Sequence, residues 1–132
     1  MRKIFLTALF LIIPTISYSQ VVVNPTKAIF TASVDHNTTE NGVDIITSYE
    51  LRIYTLSGTI PLKTMNLNKP NPDFNNVIEV NISSTVVTLP VGDYVARVAA
   101  KGPGGENNSE ISNTFQVAVR PPTAPTKVQI IK

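Results

Sequence analysis

The chain has 132 residues, 42% of them hydrophobic, with no cysteine, no tryptophan and a single histidine. Its formal charge is +2, but taking Arg2 and Lys3 from the 11 basic residues leaves 9, against 9 acidic ones. These numbers exclude a disulfide scaffold, a thiolate metal centre and the basic stripe that nucleic-acid binding requires.

Arg2 and Lys3 open the chain, and Ile4 to Ile16 is an apolar run broken by Thr7, Pro14 and Thr15. Ser17-Tyr18-Ser19 then offers small residues at the two positions a signal peptidase reads. The pattern predicts an exported protein with a signal peptide over residues 1–19 and Gln20 as the first mature residue. A spanning helix needs about 20 apolar residues, more than this run supplies. No later segment is apolar enough to cross a bilayer, so no membrane contact is expected after cleavage.

Beyond residue 20 the apolar residues alternate with a period of two, the mark of half-buried strands. Lys27 to Val34 sets Ala28, Phe30, Ala32 and Val34 on one side. Ile45 to Leu56 sets Tyr49, Leu51 and Ile53 against Glu50, Arg52 and Tyr54. Thr59 to Leu67 is a weaker strand carrying Ile60, Leu62 and Met65. Val77 to Leu89 changes face near Ser83-Ser84-Thr85, which predicts a bulge or kink. Val91 to Ala100 and Ser112 to Val119 complete the set, the last with Phe115, Val117 and Val119 together. Polar connections rich in Gly, Pro and Asn separate the runs, and most of the 10 prolines lie in them or at the ends. About seven short strands at this spacing predict an all-β, seven-stranded antiparallel sandwich over residues 20–120.

Leu89-Pro-Val-Gly-Asp-Tyr94 runs a turn straight into a strand that opens on tyrosine, with Arg97-Val98-Ala99-Ala100 leading into a Gly-containing loop. Tyr49 lies in Ser-Tyr-Glu-Leu-Arg-Ile-Tyr, and Ser109 and Ser112 follow the loop. On these residues the stretch from Pro25 to Val119 resembles a fibronectin type III domain, a member of the immunoglobulin-like sandwiches. The resemblance implies structural roles for Tyr49, Leu89 and Tyr94, the last with its hydroxyl bonded back across a corner. It also implies a small exported bacterial or phage-associated protein. The tryptophan usual in the family's second strand is absent, and no Arg-Gly-Asp occurs, so integrin binding is not implied.

Pro25-Thr-Lys-Ala-Ile-Phe30 recurs in outline as Pro125-Thr-Lys-Val-Gln-Ile130. Residues 121–132 therefore read as a proline-rich linker followed by a strand-like tail that could add to the sheet edge of a neighbouring copy.

No residue set supports catalysis. His36 stands alone beside Asp35, where a solvated or internally satisfied loop histidine is the simpler reading. Asp35, Glu40 and Asp44 share one loop and Asp73 and Glu79 another region, but neither has the regular spacing of a calcium loop, so no metal or cofactor is assigned. Lys101-Gly102-Pro103-Gly104-Gly105 lacks the Lys-Ser/Thr and the helix of a phosphate loop. What remains is a non-enzymatic module presenting loops to a protein or a cell-surface glycan. Its candidate contacts are His36, Asn37, Phe74, Gly104 and Asn107 in three long loops, together with Tyr54. The alternative is a structural subunit that self-associates through residues 121–132.

Overall fold

The computed structural model describes residues 20–132; the signal peptide expected over residues 1–19 lies outside the described residues. Ten strands occur among those residues: β1 (Val22–Val23), β2 (Lys27–Thr31), β3 (Thr39–Glu40), β4 (Val43–Asp44), β5 (Ser48–Thr55), β6 (Lys63–Asn68), β7 (Val77–Asn81), β8 (Gly92–Gly102), β9 (Gly105–Asn108) and β10 (Phe115–Val117). One short helix, α1 (Ser83–Val86), lies between β7 and β8. The fold is all-β.

β1, β10, β8, β5 and β6 lie side by side in one sheet, and β9 pairs with β8 as its sixth strand. β2 pairs with β7 in a two-stranded sheet, and β3 with β4 in another. The pairings are antiparallel except that of β1 with β10, so the large sheet is mixed rather than purely antiparallel.

Strict alternation places the centre of the fold on β5. Tyr49, Leu51 and Ile53 are buried while Glu50, Arg52 and Tyr54 face outward. Ile78 and Ile82 from the β7 side, with half-buried Ala28 and Phe30 of β2, close over the same cluster. The rings of Phe30 and Tyr49 meet at 5.2 Å, and those of Tyr94 and Phe115 at 5.8 Å. Such aromatic pairs fill large volume where cysteine and tryptophan are missing.

Several strands are shorter than their sequence patterns. Val34 and Val119 extend the alternation of their runs by one step, yet both are exposed. Ile60 and Leu62 are exposed as well, and β6 begins only at Lys63, after Pro61. The change of face near Ser83 is a helical turn rather than a bulge. Asn81 Oδ1 accepts the Ser83 N–H, and the turn swings Val86 and Leu89 into the core. Residues 121–132 form no strand and are exposed throughout.

The Tyr94 corner closes this end of the molecule. Leu89 and Tyr94 are buried together, and the Tyr94 hydroxyl donates to the Pro90 carbonyl at 2.7 Å. Ser109 and Ser112 extend the pairing of β8 across the gap between β9 and β10. Their backbone N–H groups bond to the carbonyls of Val98 and Ala96, and their hydroxyls accept the N–H groups of the same two residues.

Candidate functional site

A groove of about 510 Å³ lies at one end of the molecule, between the β3–β4 hairpin and the β8–β9 turn. Its hairpin wall carries Asp35, Glu40, Asn41 and Asp44, and its turn wall carries Gly104, Glu106 and Asn107. Local chemistry sets both turns. Asn41 and Gly42 have positive φ, 52° and 76°, the conformation that an Asn-Gly pair supplies to a two-residue hairpin. Gly102 and Gly105 face each other across Pro103-Gly104.

Gly102 is fixed by close approach rather than by φ. A Cβ there would lie 1.8 Å from the Ile45 carbonyl oxygen. The Thr47 N–H meanwhile donates to Lys101 O at 2.8 Å. The base of the turn is therefore backbone packed on backbone. Gly104 is the opposite case, since an added Cβ would meet nothing within 4 Å.

β5 anchors both walls. On its inner face, the Tyr49 hydroxyl accepts the Ser33 N–H at 3.2 Å and lies 3.0 Å from His36 Nδ1. The imidazole stacks on the Tyr49 ring at 5.7 Å between centroids, with planes 12° apart. With the ring proton on Nε2, the hydroxyl donates to Nδ1 while accepting the Ser33 N–H. The segment leading into the hairpin is thereby tied to the core.

On the outer face of β5, Arg52 reaches across β8 to β9. Its guanidinium forks onto Glu106 at 2.7 and 2.8 Å, and its Nε donates to Glu50 at 2.8 Å. Lys101 Nζ meets the other Glu50 oxygen at 3.3 Å. Small Ala99, directly across from Glu50 and Asn108, leaves room for this crossing and is fully buried although it lies outside the core cluster. The hydrogen bond from Arg52, reinforced by Lys101, holds the Glu50 carboxyl below its ordinary range. The same guanidinium lowers Glu106. Glu106, and after it Glu50, raises Arg52 in turn.

The sequence-derived candidates separate into distinct places. Gly104 and Asn107 line the groove. Asn37 is exposed but outside the groove lining. His36 is 4% exposed and its side chain packs inward against Tyr49 rather than into the groove. Tyr54 lies half-buried on the outer face of β5, and Phe74 stands alone on the loop before β7, 95% exposed. The structure does not bring these two aromatics to the groove. Asp35, Glu40 and Asp44 all border it, but Asp44 pairs with Lys69 at 2.9 Å. Among the described residues no three metal-ligating side chains converge.

Residues that the sequence reading passed over include Asn41-Gly42, a direct hairpin signal, and the Arg52 network. The alternation placed Glu50 and Arg52 on one face, but only the β8–β9 pairing brings Glu106 to them. Compared with known proteins, the chain matches no family model, no curated sequence and no solved structure.

Proposed function

We propose that the chain is an exported, non-enzymatic binding module built as a seven-stranded immunoglobulin-like sandwich of the fibronectin type III kind. The sheet order supports this reading. β10, β8, β5 and β6 follow the order of the strands lettered G, F, C and C′ in such domains, and β2 with β7 supplies the facing B–E pair. The Tyr94 corner sits where the family carries its own. Export rests on the tripartite signal pattern of residues 1–19.

The observation that carries the functional proposal is the groove and its anchorage. Two loops that are distant in sequence form its walls, and β5 holds both from opposite faces. A preformed concave surface with polar walls is what a binding module needs. The ligand class is a protein segment or a cell-surface glycan. The groove favours hydrogen bonding over ring stacking, because Tyr54 and Phe74 lie elsewhere.

Binding to intact cell surfaces tests the proposal. Gly104→Phe should plug the groove without disturbing the fold and abolish binding, whereas Phe74→Ala should leave it unchanged. Undiminished binding by Gly104→Phe, or loss of binding only in Phe74→Ala, would move the site away from the groove.

A further inference from the structure

Two unpartnered features of the molecule match each other. The first is the free edge of β2. Thr26 O accepts from Ile82 N, and Ala32 N donates to Asn76 O. By the alternation of an antiparallel pair, Ala28 and Phe30 also bond toward β7, while Lys27, Ile29 and Thr31 turn their N–H and C=O groups outward. Among the described residues nothing pairs with that edge. β1 lies instead against β10, on the other sheet.

The edge is also undefended. Sheets protect free edges with bulges, prolines or charges. β7 has such protection: the Asp73 backbone N–H and side chain cap Val77 at one end, and α1 follows the other. β2 has an unbroken register, and its one charge, Lys27, is held by Glu79 at 2.6 Å. Ala28 and Phe30 remain half-buried on its inner side.

The second feature is the tail. Lys127-Val128-Gln129-Ile130-Ile131 repeats the Pro-Thr-Lys lead-in of β2 and equals it in length. Val128, Ile130 and Ile131 are 82%, 94% and 79% exposed. β-Branched residues in alternation with polar ones suit a pleated surface. Pro121, Pro122 and Pro125 stiffen the link to the domain and favour an extended chain, and the tail forms no pairing with its own β2.

We infer that residues 127–131 of one copy add as a strand to the β2 edge of a second copy. Backbone groups of the tail bond to Lys27, Ile29 and Thr31, and Val128 and Ile130 pack beside Ala28 and Phe30. Because donor and acceptor are different surfaces, the contact is head-to-tail and leaves a pair of chains with one free tail, on the accepting copy, and one free edge, on the donating copy.

Sedimentation velocity of the full chain over a concentration series tests this. The wild type should grow in mass with concentration, past the dimer. Ile29→Pro removes one outward N–H without touching the ladder to β7 and leaves a copy that can only donate. Val128→Asp/Ile130→Asp leaves a copy that can only accept. Each variant alone should be monomeric, and a 1:1 mixture should form a dimer that grows no further. If Ile29→Pro fails to fold, Ile29→Lys serves as the second edge variant. A wild type that stays monomeric, including one whose tail folds back on its own β2, overturns the inference. So does association that survives in either variant.

Discussion

Tyr49→Phe isolates the contact that ties the hairpin wall to the core. The substitution keeps the ring against Phe30 and His36 and removes only the hydroxyl. Two bonds go with it: the acceptor for the Ser33 N–H at 3.2 Å and the partner of His36 Nδ1 at 3.0 Å. The Ser33 bond is half-buried and contributes about 1 kcal/mol; a buried imidazole nitrogen left without a partner costs about 1–3 kcal/mol. The expected loss is about 2–4 kcal/mol, read as a lower urea midpoint at unchanged slope. In a domain of this size that corresponds to a fall of roughly 10 °C in Tm. A double-mutant cycle assigns the shares. In a His36→Phe background, Tyr49→Phe should cost only about 1 kcal/mol, because only the Ser33 bond remains to be lost. A change within about 0.5 kcal/mol of wild type, or an equal cost in both backgrounds, would refute the anchoring role.

Gly102→Ala should destabilise by on the order of 3 kcal/mol or more, because its Cβ meets the Ile45 carbonyl and neither backbone can yield without the other. Gly104→Ala, two residues on, should lie within about 0.5 kcal/mol of wild type in the same thermal melt. Tyr94→Phe strips the Pro90 carbonyl of its donor and should cost about 1 kcal/mol by urea unfolding. The Arg52 network makes stability fall in acid. Glu50 and Glu106 have folded-state pKa values below the ordinary 4.5, so their contribution is complete above that value and disappears as pH falls beneath it. Arg52→Gln should flatten that part of the stability–pH curve, and an unchanged acid slope in the variant would count against the network.

The fold was legible where burial alone decides it. β5 reads directly from alternation, because one face meets the core and the other meets charge. Tyr94 reads from its place after a Gly-containing turn. Strand ends were not legible, since Val34 and Val119 continue an apolar alternation past the point where the chain leaves the sheet. Ser83–Val86 is too short for a helical period to emerge from four residues. The groove was half legible: Gly104 and Asn107 lie in a loop that marks itself by composition. The rest was hidden because it depends on pairings distant in sequence. Glu106 meets Arg52 only once β9 folds back on β8. His36 reads as a loop residue and is one, but its burial against Tyr49 was hidden because Tyr49 is distant in sequence.

Amide chemical-shift mapping tests the central claim most directly. The isotope-labelled protein would be titrated with solubilised cell-surface glycan and, separately, with extended peptides. The groove account predicts shifts concentrated on Asn41, Gly42, Gly104, Gly105 and Asn107 with one of these ligands, and their loss in Gly104→Phe. Shifts confined to the Phe74 loop or to the outer face around Tyr54, with the groove amides unmoved, would contradict it.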